Sequence, residues 1–159
     1  MSRTGAGGWE WARQGRELAL QMLYQWEVGR LTVTDVAESF WRVGDVDLEA
    51  VPPRARAQAE RLAAGTIAEV ASIDPVLEEA SRNWRLDRMP VLDRLVLRLA
   101  IYELVHERDT PPPVVIDEAL ELARRFSTEE AVPFINGVLD AVRRRIERGE
   151  IAAGRPASS

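Results

Sequence analysis

The stretch from Val91 to Leu104, VLDRLVLRLAIYEL, places the strongest constraint on how this chain can fold. Val91, Leu92, Leu95, Val96, Leu97, Leu99, Ile101 and Leu104 lie nearly all round a helix. A helix with no polar face has to be covered on several sides, so this one belongs at the centre of a helical packing. The rest of the chain must supply the helices that cover it.

Those helices are legible from their end signals. Trp9 to about Val28 reads as a first helix, ended at Gly29. Asp35 with Glu38 three residues on has the form of a capping box for a short second helix. Pro52-Pro53 opens a third, in which Ala55, Ala59, Leu62, Ile67 and Val70 roughly keep helical spacing. Asp74-Pro75 is a start signal for a fourth, with Asp as N-cap and Pro at the first helical position. The central helix runs from near Pro90 to about His106. Thr110-Pro-Pro-Pro stops it and starts a sixth, which ends near Phe126. Ser127 or Thr128 begins the last helical region. A proline inside a helix costs about 3 kcal/mol but little in the first turn. Pro133 therefore places the regular last helix close to Val132, with residues 128–131 as a separate turn. No stretch alternates apolar and polar residues long enough for a strand. The expected fold is all-α with about seven helices.

At 159 residues the chain is one domain, or two small subdomains packed as one. The expected division is a flexible N-terminal segment over 1–9, a folded domain over 10–148 and a disordered tail over 149–159, GEIAAGRPASS. The chain has no cysteine, so disulfides and thiolate metal sites are excluded. No apolar run approaches the roughly 18 residues that span a bilayer. The start, MSRTGAGGWEWARQ, lacks the apolar stretch of a secretory signal. A cytoplasmic location is expected.

The net charge of −5 argues at first against nucleic acid. Its distribution matters more than its sum. Residues 1–30 carry four Arg and three acids, and residues 124–159 seven Arg and five acids. The middle, 31–123, carries ten Arg and eighteen acids. Mildly basic ends and an acidic middle permit one face for phosphate and another for a basic protein. Equally, such asymmetry is ordinary in a chain this charged. Every basic side chain is Arg, whose guanidinium fork suits phosphate and carboxylate better than an ammonium does.

Enzymatic readings find little support. Glu103-Leu-Val-His106 spells the E-x-x-H of a di-iron bundle, but that site needs a second such pair and His106 is the one histidine. Asp117, Glu118 and Glu121 are better read as carboxylates that offset a helix dipole. Gly5-Ala-Gly-Gly lacks the G-K-[ST] ending of a phosphate loop. No catalytic residue, metal ligand or cofactor is expected.

Two helices carry more information. On the first, Ala19, Met22, Leu23 and Trp26 form a core stripe. Arg13, Arg16, Leu20 and Tyr24 lie on the other side. Two guanidiniums and a ring on an exposed face have the parts for RNA, since phosphates meet arginines and unpaired bases stack on rings. A solvated face, with Tyr24 covering a neighbour, fits the same pattern. On the last helix, Gly137 gives up about 1 kcal/mol against Ala, which suggests a close helix crossing. Asn136 would need hydrogen-bond partners if buried. Glu130 and Phe134, at the exposed start, are better placed to touch a ligand. Trp9, Trp11 and Trp41 fit core or interface, so monomer and homodimer both stay open.

Three segments in order carry a resemblance: RELALQMLYQWE from Arg16, the central VLDRLVLRLAIYEL, and TPPPVVIDEALELARRFSTEEAVPFINGVLDAVRRRI from Thr110. Together they resemble the bacterial antitermination factor family NusB, with FINGVLD and IDEALELA as the specific strings. The resemblance implies a scaffold of two packed helical subdomains. It implies an RNA surface for the boxA element of nascent rRNA transcripts, matched here by Arg13, Arg16, Tyr24, Glu130 and Phe134. It also implies a surface for a small-subunit ribosomal protein that doubles as Nus factor E, matched by Asp87, Asp93 and Pro112. The pair would tether the transcript to RNA polymerase. This chain departs from the family pattern in its thinned N-terminal arginines, Trp11-Ala-Arg13-Gln-Gly-Arg16, and in Pro133, where many relatives carry Lys. The alternatives are a NusB-like module that binds only protein and the accessory domain of an rRNA cytosine methyltransferase. The second lacks room for a cofactor domain and a cysteine nucleophile.

Overall fold

The computed structural model describes residues 3–43, 47–82 and 84–153. Its order is α1 (Arg3–Gly29), α2 (Val33–Val43), α3 (Pro53–Ala68), α4 (Val70–Ala80), α5 (Val91–His106), α6 (Pro112–Phe126) and α7 (Ala131–Glu147). Short 3-10 turns lie at Leu48–Ala50 and Leu86–Arg88. Among the described residues there is no strand. The all-α expectation holds. The chain divides into two compact units, Met1–Ile67 and Ala68–Ser159.

In the first unit, α1 starts at Arg3 rather than Trp9. It passes through Gly29, and Arg30 takes the left-handed conformation at φ 55°. Thr32, not Asp35, caps α2: its hydroxyl accepts the Asp35 N–H at 3.0 Å. The cap expected at Asp35 therefore lies three residues earlier. Trp41 is buried and donates from Nε1 to Glu60 on α3 at 2.8 Å. Arg56 lies over its ring at 4.7 Å. Half-buried Trp11 is covered in the same way by Arg54 at 5.0 Å. Both described tryptophans of this group therefore have neighbours in their own unit. The side chain of Trp9 lies outside the described residues.

In the second unit, α5 packs on α4, α6 and α7. Leu95 to Leu104 is buried without a break, as the apolar run requires. α4 begins at Val70, so Pro75 falls inside it and Asp74 is not its N-cap. Asp74 instead receives a two-pronged hydrogen bond from Arg98 of α5, with Nε and Nη2 each at 2.9 Å. Pro75 leaves the Ala71 carbonyl without its helical donor, and Ala71 is on an exposed turn where water can supply one. α7 starts with Pro133 in its first turn, and the Thr128 hydroxyl accepts the Ala131 N–H at 3.2 Å. Gly149 takes φ 76° and closes α7 in a Schellman cap, Gly149 N–H to Ile146 and Glu150 N–H to Arg145. Residues 154–159 lie outside the described residues.

Candidate ligand-binding surfaces

On α1 the line Arg13, Arg16, Leu20, Tyr24 does not form one exposed face. Arg13 is exposed and Tyr24 is 44% exposed. Between them Arg16 is 5% exposed and Leu20 1%. The expectation of an exposed arginine pair is therefore corrected: Arg16 is an interior side chain. The reason lies next to it in sequence. Gly15 lets α3 come close, and a Cβ there would meet the Ala55 carbonyl oxygen and Gln58 Cβ, each at 3.1 Å. This crossing widens the buried arc of α1 beyond the apolar stripe of Ala19, Met22 and Leu23. A helical wheel drawn from apolar residues alone misses that widening.

At the start of α7, Glu130 is exposed in the N-cap position. Phe134, one turn further, is half-buried, and its ring lies 5.9 Å from that of Trp84 at an angle of 57°. Trp84 is 49% exposed. It is held there by its turn: its N–H reaches the Ser81 carbonyl at 2.9 Å, and the buried Ser81 hydroxyl donates to Leu77 at 2.8 Å. A braced, half-exposed tryptophan beside a phenylalanine is a stacking surface. Sequence reasoning passed over Trp84. The available signal was a lone ring set among charges in Arg82-Asn-Trp84-Arg-Leu-Asp87-Arg.

The expected crossing at Gly137 is also corrected. Gly137 and Asn136 are exposed, and nothing lies within 4 Å of where a Gly137 Cβ would be. Among the described residues the glycine has no packing neighbour.

The three residues expected to face a protein partner separate. Asp87 is exposed and pairs with Arg85 at 3.2 Å. Pro112 is half-buried in the first turn of α6. Asp93 is 6% exposed and accepts a hydrogen bond from the Ser127 hydroxyl. It ties the first turn of α5 to the α6–α7 connection, so its expected place on an open acidic surface is corrected. A carboxylate in the first turn of a helix reads as exposed, and only the arrival of Ser127 from far along the chain encloses it.

Glu103 and His106, the E-x-x-H pair, also part. Glu103 is 3% exposed, while His106 is exposed, stacked on Tyr102 at 5.2 Å and 3.7 Å from Glu69. Glu121 pairs with Arg124 at 2.8 Å. Among the described residues no group of three His, Cys, Asp or Glu side chains is arranged to hold a metal ion. None of the described helices is long and apolar enough to cross a membrane.

Known proteins resemble this chain over most of its length. The sequence model of the NusB family matches residues 13–144. The transcription antitermination protein NusB of Sorangium cellulosum is 42% identical over 134 residues, covering 84% of this chain and 92% of the relative. That of Treponema denticola is 38% identical over 133 residues, covering 84% and 96%. Among solved structures, T. maritima NusB superposes with a TM-score of 0.74 at 34% identity, covering 87% of this chain and 96% of that one. The fold also matches, at 22% identity and a TM-score of 0.74, a chain in a complex of the antitermination factors NusB and NusE with double-stranded RNA, covering 85% and 97%. By the extent of the family match and the identity to these relatives, the chain belongs to the NusB family.

Proposed function

We propose that this chain is a transcription antitermination factor and acts by recruitment, without chemistry of its own. It holds the boxA element of nascent rRNA transcripts together with a small-subunit ribosomal protein, Nus factor E. The pair tethers the transcript to elongating RNA polymerase in the cytoplasm. Linking two weak contacts raises effective concentration without a new bond being made. The observation that carries this reading is the 42% identity to an antitermination protein over nearly its whole length. The solved NusB–NusE–RNA complex of the same fold supports the partner classes.

Within that reading the RNA contacts are Arg13 and Tyr24 on α1, and Glu130 and Phe134 at the start of α7. Arg16, being buried, serves from beneath by fixing the turn that presents Arg13. Asp87 and Pro112 face the ribosomal protein. An acidic group there suits a basic partner, because complementary charge speeds encounter and sets register. Asp93 shapes that surface by anchoring the start of α5.

The test is fluorescence anisotropy of a labelled boxA-type RNA, with and without the ribosomal protein, against a scrambled RNA. Selective binding that tightens with the partner and weakens in Arg13→Glu and Phe134→Ala supports the reading. Equal binding of both RNAs in the presence of the partner rejects it. The acidic middle of the chain favours a second reading, a module that binds only protein. A salt titration separates the two, because RNA affinity falls steeply with salt in proportion to the phosphates neutralised.

A further inference from the structure

The second unit carries a basic cleft built from the same two stretches of chain as the aromatic pair, the end of α4 with its following turn and α7. It encloses about 340 Å³ between the end of α4 and the last turns of α7, and Arg82, Arg144, Arg145 and Arg148 line it beside Glu79 and Glu150. Four guanidiniums against two carboxylates leave it positive, and it stays positive when Asp140, 3.2 Å from Arg144, is counted. Arg145 is pinned by Glu79 at 2.6 Å, and its Nη1 is sealed from solvent with no acceptor. Arg144 and Arg148 are more than half exposed, Arg144 beside Asp140 at 3.2 Å and Arg148 holding Glu150 through Nε at 2.9 Å and Nη2 at 3.5 Å, so an incoming phosphate would share these forks with the two carboxylates.

The cleft is joined to the aromatic pair along one face of α7. Phe134, Gly137, Ala141, Arg144 and Arg148 follow one another at helical spacings of three, four, three and four. The face spans roughly 21 Å at 1.5 Å per residue. Its two ends are built for different parts of one polymer, rings at one and guanidiniums at the other. Between them the surface is low, because the two middle positions are Gly and Ala. Among the described residues Gly137 fills no crossing, and nothing lies within 4 Å of its Cβ position. A helix-interior glycine with no internal neighbour is what a close external approach requires.

We propose that this face of α7 is a track for single-stranded RNA flanking the recognised element. A base stacks on the outer side of the Trp84–Phe134 pair, whose rings touch and leave no room between them. The sugar-phosphate chain crosses Gly137 and Ala141, and its phosphates reach Arg144 and Arg148 at the cleft. The proposal rests on the RNA reading above and extends it to RNA outside the element itself.

The test compares two labelled RNAs on the full chain: the boxA-type element alone, and the same element extended at both ends by unstructured nucleotides. The track predicts tighter binding of the extended RNA. In the double variant Arg144→Gln, Arg148→Gln, affinity for the extended RNA falls at least fivefold and the short RNA binds as before. The slope of log affinity against log salt falls by about 1.4, two contacts at about 0.7 each for a single strand. Gly137→Leu, which raises the floor of the track, weakens the extended RNA several-fold without lowering the melting temperature. If the double variant matches the parent in affinity and slope for both RNAs while Phe134→Ala weakens both, the track is overturned and the RNA reading stands. If the parent binds neither RNA even with the ribosomal protein, both are overturned. If the double variant alters only binding of the ribosomal protein, the cleft takes an acidic protein segment and the track is again overturned.

Discussion

Gly15 in α1 and Gly137 in α7 both lie inside a helix, and each gives up about 1 kcal/mol of helix propensity relative to Ala. The two glycines do opposite things. At Gly15 the missing side chain is filled from inside, where the Ala55 carbonyl and Gln58 stand 3.1 Å from the Cβ position. At Gly137 nothing stands within 4 Å. A glycine in an amphipathic helix signals that something comes close. It does not say whether the visitor is another helix or a molecule from solvent. The same contrast divides other pairs of like residues. Arg16 is interior and Arg13 exposed; Asp93 is enclosed and Asp87 open.

The contrast can be broken by substitution. The largest effect is expected at Gly15→Leu, which drives a branched side chain into the α1–α3 crossing. Overpacking of this kind destabilises by about 3 kcal/mol, read as a lower urea midpoint. A midpoint within error of the parent would mean that the crossing is loose. Next is Asp93→Ala, which leaves the Ser127 hydroxyl without its charged acceptor and loosens the start of α5. A loss of about 2 kcal/mol is expected, while Asp87→Ala, in an exposed pair, changes stability by less than about 0.5 kcal/mol. Equal losses for the two aspartates would erase the distinction between them.

Gly137→Ala has the opposite sign to the first two. With open space around it and no need for a left-handed backbone, it should stabilise by about 0.5–1 kcal/mol. A drop in melting temperature would place a neighbour at that face. The smallest effect concerns Asp140, whose carboxyl is held below the usual range by a hydrogen bond from Arg143. Partial burial opposes this, and the charges of Arg144 and Arg143 add to it. A depressed folded-state pKa contributes stability that is complete above the ordinary aspartate range. It is lost as pH falls through the lower folded value. For a surface pair on a helix this amounts to about 0.5 kcal/mol at most. Asp140→Asn should therefore melt slightly below the parent at neutral pH and converge with it in strong acid. A gap that persists in strong acid would assign the effect to something other than the charge.

How much was legible depended on the range of the interaction concerned. The central helix, the Pro-led start of α6 and the delayed start of α7 around Pro133 were readable because each rests on neighbours in sequence. The α4 start was misread at Asp74-Pro75, since the aspartate's true partner is Arg98, at the far side of a helix packing. The cap of α2 was misplaced by three residues, because the Asp35–Glu38 spacing fits a capping box while the Thr32 hydroxyl takes the Asp35 N–H. Phe134 was legible as a surface ring, but its companion Trp84 was not, because the pairing depends on how the Ser81 turn meets α7.

The sequence by itself determined that this chain is all-helical, where most of its helices lie, and which family it resembles. These follow from apolar periodicity, proline and glycine punctuation and short specific strings, all of them local. Tertiary structure alone decided which of two like side chains faces inward: Arg13 or Arg16, Asp87 or Asp93, Gly15 or Gly137. Burial depends on what arrives from elsewhere in the chain, and a single helix records its own periodicity but not the width of the face its neighbours cover.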